Sequence, residues 1–315
     1  MDKAEEENDV YIYTGGLAPQ HIINVIIHES VDTIDKHAFC DNPNLRSVKM
    51  HKGVETIGRE AFMNCVAMRY MELPGVRVVD VGAFTNCKGL KDVRFGKQLE
   101  IIEFSAFYGC ISLRCIVIPS ARIIEACAFN HCTGLTHVCL PEELETVGAY
   151  AFWACNLKRI ATPLMYDDKI SDSVFDSCRG LSTVDLIGSD LHQTISHLHM
   201  ASWRYDMYHD INRINWILPH TTGKTKAIRQ WMDSITNRLV YYRGVHMQLS
   251  NEAMMILELA LWKVKLDEKE KEVLDEKGSG KNMSMMDRVG ARQDARIKCG
   301  AGIVIKNVLP FLSLS

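Results

Sequence analysis

Cysteine is the residue type whose number and spacing first suggest chemistry in this chain. There are 11 cysteines, and six of them follow a phenylalanine by three residues: Cys65, Cys87, Cys110, Cys132, Cys155 and Cys178. A structural zinc site needs several ligands about 2.3 Å from one ion, commonly supplied by C-x2-4-C pairs. Here each stretch of 22 or 23 residues supplies one sulfur. We therefore predict no metal and no other cofactor, and expect these thiols to pack as small apolar groups.

The segment TGKT at 222–225 invites comparison with a phosphate-binding loop. That motif also requires a glycine at position 218, and Leu218 stands there instead. The segment follows Pro219 rather than a strand. We therefore expect a turn that leads into a helix and no nucleotide site.

A cluster of four histidines follows residue 190, where a zinc site or a catalytic base could form. It consists of His192, His197, His199 and His209. No cysteine or carboxylate completes a recognised ligand spacing, and no G-x-S-x-G context suggests an activated serine. A Ser-His-Asp arrangement stays open from sequence alone, but a solvated helix start is the interpretation we adopt, and we predict no enzyme activity.

The phenylalanines that precede the cysteines recur with a fixed period. They stand at positions 39, 62, 84, 107, 129, 152 and 175, so successive steps are 22 or 23 residues. In the first unit Asn42 takes the cysteine place. A fixed period of this size is typical of stacked supersecondary units.

Each unit repeats the same local pattern around its phenylalanine. Alanine precedes the aromatic residue in six units and Val174 in the seventh, and an apolar residue stands five positions before it. The end of each unit, such as KDVRF at 91–95 or THVCL at 136–140, alternates apolar and other residues with the period of a strand. Stacking of such units would place each phenylalanine over the previous one, because one unit cannot bury its apolar face alone.

These positions closely resemble the BspA-like class of leucine-rich repeats, whose pattern is I-x-x-x-A-F-x-x-C-x-x-L-x-x-I-x-I-P. The resemblance covers roughly residues 21–188, and Pro119 and Pro141 keep the proline that follows the strand. It implies an α/β fold: a leucine-rich-repeat solenoid with a curved parallel sheet, followed by an α-helical region. It also implies that the face of the strands is a binding surface and that the protein has no catalytic activity.

The pattern predicts four regions along the chain. Residues 1–20 form an acidic segment and entry cap, 21–189 the solenoid with a first strand at 22–27, 190–280 a helical region and charged linker, and 281–315 a tail. The helical region is the natural cover for the open end of the last repeat. Its run INWILPHTTGKTKAIRQWMDSI resembles the tail of repeat proteins from microalgae, which implies no biochemical role.

The helical region itself divides into two predicted helices and a linker. Five apolar residues at helical spacing predict an amphipathic helix over 225–247: Ile228, Trp231, Ile235, Leu239 and Tyr242. Ser250 predicts the cap of a second helix through roughly Leu266. Residues 267–281 are nearly all polar and predict a solvated linker, and the apolar piece 302–314 should pack against the rest of the chain.

Composition excludes several classes of protein. With 47% hydrophobic residues, 24% charged residues and a net charge of −3, the chain has ordinary globular composition and no strong attraction to nucleic acid. The acidic start lacks the apolar core of a secretory signal, and no apolar run is long enough to insert in a membrane. Because reduced thiols are typical of the cytosol or nucleus, we expect a cytoplasmic or nuclear location.

The strand residues that do not face the core provide the most specific functional signal. Four consecutive units have a cation seven residues after the phenylalanine, and long basic side chains can simply solubilise a sheet. They can also bind an acidic partner, and the acidic segment at 2–9 is an intramolecular candidate. The predicted binding residues on the concave face are Arg46, Lys49, Arg69, Tyr70, Lys91, Arg94, Arg114, His137, Lys158 and Arg159.

The sequence thus favours a non-enzymatic scaffold that binds a protein partner through the face of its strands. Two alternatives stay open. Related repeats occur on microbial surfaces, which leaves a carbohydrate-binding or adhesive protein, and an enzyme could have its site in residues 190–315.

Overall fold

The structure is a computed structural model that describes residues 10–165, 169–198, 200–276 and 286. The acidic segment 2–9 and, except for Met286, the tail predicted at 281–315 lie outside these residues. The chain divides into two compact units, Met1–Ser196 with Tyr205–Asn237, and His197–Arg204 with Arg238–Ser315.

A parallel solenoid occupies residues 10–187, as the repeat predicted. Its main strands, numbered with all strands in chain order, form two parallel sheets with the orders β1-β2-β4 and β15-β14-β12-β10-β8-β6. The bounds of the main strands are β1 Val10–Tyr13, β2 Asn24–Ile27, β4 Ser47–Lys49, β6 Tyr70–Leu73, β8 Asp92–Phe95, β10 Cys115–Val117, β12 His137–Cys139, β14 Arg159–Pro163 and β15 Thr183–Ile187.

A third parallel sheet consists of two-residue strands that alternate with the main strands along the chain. Its order is β13-β11-β9-β7-β5-β3. The bounds are β3 Thr33–Ile34, β5 Thr56–Ile57, β7 Val78–Val79, β9 Ile101–Ile102, β11 Ile123–Ile124 and β13 Thr146–Val147. Each turn of the solenoid therefore consists of a main strand, a two-residue strand and the tight turn that contains the Ala-Phe pair. Strand β1 was not predicted, since we expected the first strand at 22–27.

The seven phenylalanines form one continuous stack in the core, as the period predicted. Successive ring centroids lie 5.0–5.8 Å apart and successive ring planes differ by only 4–11°. All seven rings are at most 2% exposed. Because a nearly parallel stack at this distance requires one ring in each turn, the 22- or 23-residue period is a direct consequence of the packing.

The backbone of the Ala-Phe turn forms its own hydrogen-bond ladder between turns. The N–H groups of Glu60, Phe62 and Asn64 donate to carbonyls of the next turn at 2.9, 2.8 and 2.9 Å. In the first five turns the acceptor of the phenylalanine N–H is the alanine carbonyl of the next turn, as in Phe62 to Ala83, and in the sixth it is the Val174 carbonyl. Alanine fits here because the residue is fully buried between two backbones, as Ala83 and Ala106 are.

Two residues in every turn have a left-handed backbone conformation that the sequence did not reveal. They lie two residues before and two residues after each phenylalanine, with φ between 53° and 71°. Only Gly82 and Gly109 among the fourteen are glycine, although each non-glycine residue costs about 1–2 kcal/mol in this conformation. The ladder compensates, because these conformations direct the N–H groups toward the next turn.

Tyr13 closes the phenylalanine stack at its N-terminal end. Its ring centroid lies 4.9 Å from that of Phe39, and the ring is fully buried. The hydroxyl donates to Gly16 or Asp35, whose carbonyl and carboxylate oxygens both lie 3.0 Å away, and it accepts the Asp35 N–H at 3.2 Å. A tyrosine therefore ends the stack while its polar atom is satisfied.

Residues of the helical region satisfy the backbone groups of the last turn. The Phe175 N–H donates to the Thr225 hydroxyl at 2.9 Å, in place of a further alanine carbonyl, and Thr225 donates to Asp176 at 3.0 Å. The Val184 N–H on edge strand β15 donates to the Asn215 side chain at 2.8 Å. Thr225 and Asn215 thus supply the acceptors that a further turn of the solenoid would supply.

The helical region contains three α-helices and one short 3-10 helix. They are α1 Ser189–Ser196, α2 Ala201–Ile217, the 3-10 helix Leu218–His220 and α3 Lys224–Glu276. The apolar residues predicted at helical spacing are buried, as Ile228 and Ile235 show at 0% exposure. The break predicted at Ser250 and the linker predicted from residue 267 were wrong up to Glu276. Neither proline nor glycine occurs between 245 and 276, so nothing in this stretch ends the helix.

Removal of one central ring tests the stack. Phe107→Ala should lower the free energy of unfolding by about 3–5 kcal/mol, because the cavity lies between two neighbouring rings. The matched control is Phe104→Ala, three residues earlier, whose side chain is 48% exposed and should cost far less. Chemical denaturation of both variants makes the comparison. Equal losses in the two variants would contradict the assignment of Phe107 to the core.

Candidate functional site

The solvent-exposed face of the main sheets is formed by alternate strand residues. In β6 the residues Met71 and Leu73 are buried, while Tyr70 and Glu72 are exposed, and β8 and β12 follow the same alternation. Register aligns equivalent residues, so Tyr70 lies beside Asp92 and Glu72 beside Arg94. The strand face therefore presents two columns of side chains to solvent.

Five of the ten predicted binding residues lie on this strand face, and the other five lie immediately before the strands. Lys49, Tyr70, Arg94, His137 and Arg159 are strand residues with exposed side chains. The other five immediately precede the strands and form a separate column, which we call the basic column: Arg46, Arg69, Lys91, Arg114 and Lys158.

The basic column has a regular backbone. The Lys91 N–H donates to the Arg69 carbonyl at 2.9 Å, and the Arg114 N–H donates to the Lys91 carbonyl at 3.2 Å. Neighbouring turns are thus separated by about 4.8 Å. Four side chains of the column are exposed and that of Lys91 is half-buried. The column therefore presents cations in four adjacent turns, from Arg46 to Arg114, and again at Lys158 after Thr136.

No member of the basic column forms an ion pair with another described residue. Like charges this close repel by somewhat less than about 1 kcal/mol per pair in bulk water. Long side chains can reduce this repulsion by extending apart. An acidic ligand would reduce it more, because it would supply the missing negative charge.

A column beside the two-residue strands shows the opposite arrangement. Its charges alternate in sign from turn to turn through Glu55, Arg77, Glu100, Arg122 and Glu145. Arg77 contacts Glu100 at 2.8 Å and Glu55 at 3.6 Å, and the Arg122 Nε donates to Glu145 at 2.9 Å. The hydrogen bond to Glu100 raises the pKa of Arg77. This column is neutralised within the chain, so an unpaired column is not a general property of the repeat.

Two of the predicted strand-face cations are already paired. Arg159 makes two hydrogen bonds to Asp185, at 2.5 and 3.0 Å, and these raise its pKa. Arg94 lies 3.7 Å from Glu72, with both side chains mostly exposed. Such exposed pairs contribute little stability, but they lower the net charge of the strand face. The basic column is therefore the more distinctive part of the predicted site.

The six cysteines that follow a phenylalanine by three residues are buried in the core, as predicted, and also form hydrogen bonds that the sequence did not indicate. Each buried thiol donates a hydrogen bond to the phenylalanine carbonyl of the preceding turn, as Cys87 does to Phe62 at 3.0 Å. The other five bonds measure 3.1–3.2 Å. Asn42, which takes the cysteine place in the first unit, also donates backward, to the Pro19 carbonyl at 3.3 Å. The position thus requires a small side chain with a donor.

Burial keeps these thiols protonated. It raises the pKa of Cys65 and of Cys178 to about 12, and raises the pKa of the four cysteines between them well above the ordinary value. A protonated, buried thiol is a poor nucleophile and a poor metal ligand.

The segment TGKT begins helix α3, as the turn interpretation predicted. Lys224 is 3% exposed, and its ammonium group donates to the Leu218 carbonyl. Desolvation lowers the pKa of Lys224. Thr225 bonds Phe175 and Asp176, so the two buried polar side chains of the segment, those of Lys224 and Thr225, are used within the fold.

The histidines after residue 190 do not form a described site. His197 and His209 are exposed, and His209 stacks on Tyr205 with ring centroids 6.4 Å apart. The side chain of His192 and the whole of His199 lie outside the described residues. Within the described ranges, no group of three histidine, cysteine or carboxylate side chains is arranged to hold a metal ion.

Comparison with known families matches the solenoid to the BspA-type leucine-rich-repeat region. Six copies of that repeat match residues 12–122 and 100–198, which together exceed half of the chain. The chain belongs to the BspA-type leucine-rich-repeat family. No curated protein matches this leucine-rich-repeat chain.

Solved leucine-rich-repeat proteins resemble this family member over a little more than half of its length. A leucine-rich-repeat protein of T. pallidum is 27% identical with a TM-score of 0.42, over 57% of this chain and 76% of its own. One from Bacteroides ovatus is 19% identical with a TM-score of 0.36, over 53% and 61%. One from Eubacterium ventriosum is 15% identical with a TM-score of 0.33, over 53% and 67%.

In the part of the chain that the structure describes, every helix of this leucine-rich-repeat protein is too short or too polar to cross a membrane.

Thiol reactivity at pH 8 tests the ladder of cysteines. The native protein should leave six of its 11 cysteines unmodified by an aromatic disulfide reagent, because their raised pKa values keep them protonated and burial excludes the reagent. Unfolding in denaturant should make all 11 reactive. Mass spectrometry of the native sample identifies the protected residues. Rapid modification of Cys87, Cys110 or Cys132 would contradict their burial.

Proposed function

We propose that this leucine-rich-repeat protein is a non-enzymatic scaffold that binds an acidic protein segment along the basic column and the adjoining strand face. The observation that supports the proposal most is the unpaired state of Arg46, Arg69, Lys91, Arg114 and Lys158 among the described residues. Complementary charge accelerates association and favours the correct partner.

The strand face adds groups suited to a protein ligand. Tyr70 is 62% exposed beside the basic column, and arginine and tyrosine are the residue types enriched at the centres of protein interfaces. Because strands hold these side chains in register, little conformational entropy would be lost by the scaffold on binding.

The acidic segment 2–9 is an intramolecular competitor in this proposal. Val10 pairs with Asn24, and Asn24 pairs with Ser47. Ser47 directly follows Arg46, so the residue that follows the acidic segment lies two strands away from the first position of the basic column. The segment contains five carboxylates and one lysine. Its eight residues can span up to about 27 Å, which is similar to the length of the column.

The proposal includes a cytoplasmic or nuclear location for the protein. Nine cysteines of the described chain are free, including the exposed Cys139. Free thiols in this number support a reducing compartment, since cysteines tend to form disulfides outside the cell.

Binding of an acidic probe tests the function directly. A fluorescein-labelled oligoglutamate of about twelve residues should bind the full chain in about 50 mM salt and weaken steeply in about 300 mM salt. Arg69→Glu with Arg114→Glu should weaken binding at least ten-fold. Neutralisation of the competitor by Glu5→Gln, Glu6→Gln and Glu7→Gln should strengthen it. Fluorescence anisotropy measures all three.

The matched control is Lys52→Glu with Lys97→Glu. Both lysines are exposed and lie in the loops after β4 and β8, so net charge changes equally while the basic column is intact. We expect this control to bind almost as well as the parent chain. Equal losses in the two double variants would show that only net charge matters, and the proposed site would be wrong.

A further inference from the structure

Helix α3 is apolar on two opposite sides in the unit that contains Arg238–Ser315. Tyr242, Ala253 and Ala260 are buried on one side. On the other side Met255 and Trp262 are 62% and 52% exposed. Soluble helices ordinarily bury one apolar stripe and expose a polar face, and a helix that is apolar all round is normally covered all round. The exposed side therefore lacks a partner among the described residues.

The exposed side has a regular spacing along the helix axis. Steps of 4, 3, 4, 4, 3 and 4 residues keep its members on one line, which is the geometry of helix pairs. We call this line the α3 seam. Its members, all exposed, are Val240, Gly244, Met247, Asn251, Met255, Glu258 and Trp262.

The α3 seam is symmetric about its central residue, Asn251. Large apolar residues stand 11 positions away on both sides, at Val240 and Trp262, and four positions away, at Met247 and Met255. The flanking residues Tyr241 and Leu261 add a further pair ten positions away. A two-fold interface uses the same patch on both subunits, so the patch must be complementary to itself. A pattern that reads alike from both ends meets this requirement for antiparallel helices.

We propose that the α3 seam is the interface of a homodimer, with two α3 helices packed antiparallel around a two-fold axis at Asn251. In this arrangement Val240 packs on the partner's Trp262, and Met247 packs on the partner's Met255. Asn251 meets Asn251 of the partner subunit. The amide has both donors and an acceptor, so the two side chains satisfy each other across the axis.

The dimer explains the presence of a glycine at position 244, inside helix α3. Glycine is unfavourable inside a helix, and a Cβ placed on Gly244 would have no atom within 4 Å, so no contact within the described chain requires it. The symmetric pairing places it opposite the partner's Glu258. A glycine there leaves room for the longer side chain, and neighbouring Arg243 supplies a cation for that carboxylate. The same pairing occurs twice in the dimer.

The exposed apolar area matches what a stable pair of subunits needs. The large apolar residues of the seam and its flanks are each 51–68% exposed: Val240, Tyr241, Met247, Met254, Met255, Leu261 and Trp262. At roughly 100 Å² each they offer on the order of 700 Å² per subunit, close to the roughly 800 Å² of a standard interface. The line from Val240 to Trp262 is about 33 Å long at the rise of an α-helix.

The mass of the full chain in solution tests the dimer. At about 50 μM, light scattering should give twice the monomer mass of 35.7 kDa. Met255→Glu with Trp262→Glu should give the monomer mass. The control, Tyr205→Glu with Trp216→Glu, changes residues that are 72% and 81% exposed outside the seam, and should stay dimeric. A monomeric parent chain, or a seam variant that stays dimeric, would overturn the proposal.

Single cysteines test the register independently of that variant. Asn251→Cys should form a disulfide-linked dimer on mild oxidation, because the residue faces its own copy across the axis. Glu258→Cys should not, because its copy lies 14 residues away along the paired helices, about 21 Å. Mass spectrometry of the linked peptides excludes bonds from the native cysteines. Parallel pairing would link both variants equally, and linkage of neither would exclude the seam; either result would overturn the proposal.

Discussion

The hydrogen bond from the phenylalanine N–H of one turn to the carbonyl before the phenylalanine of the next turn is the constraint on which the rest of the structure depends. It brings successive turns close enough for the rings to stack 5.0–5.8 Å apart. The same spacing aligns the main strands, and hence the side chains before them, in columns. Arg69, Lys91 and Arg114 lie in neighbouring turns only because this backbone ladder is regular. Packing in the core therefore determines the arrangement of charge at the surface.

Much of the solenoid could be predicted because its signal repeats seven times. A period of 22 or 23 residues, an alternating strand pattern and a fixed Ala-Phe pair were sufficient for the ring stack and the parallel sheets. The left-handed residues could not be predicted in this way. Tyr150 and Ala154 have φ values of 58° and 55°, and neither residue type indicates such a conformation. Their conformations are imposed by hydrogen bonds between turns, which no local pattern reveals.

The candidate site could be predicted only in part. Sequence spacing placed the cations in columns, but it did not distinguish Arg159, which pairs with Asp185, from Arg114, which has no partner among the described residues. That distinction depends on which residues of neighbouring turns are level, and so on the observed register. The continuity of α3 through Ser250 escaped prediction for a similar reason. Ser250 is a good cap but also tolerable inside a helix when surrounding residues favour one.

The two ends of the stack are closed by side chains that imitate the missing turn, Tyr13 by its ring and Thr225 by its hydroxyl. The interior is therefore where the account is tested most directly. Hydrogen exchange of the Phe84, Phe107 and Phe129 amides should be equally slow and occur only through global unfolding, with the same denaturant dependence as the unfolding transition. Fast or unequal exchange at these three amides under native conditions would contradict a continuous ladder between turns.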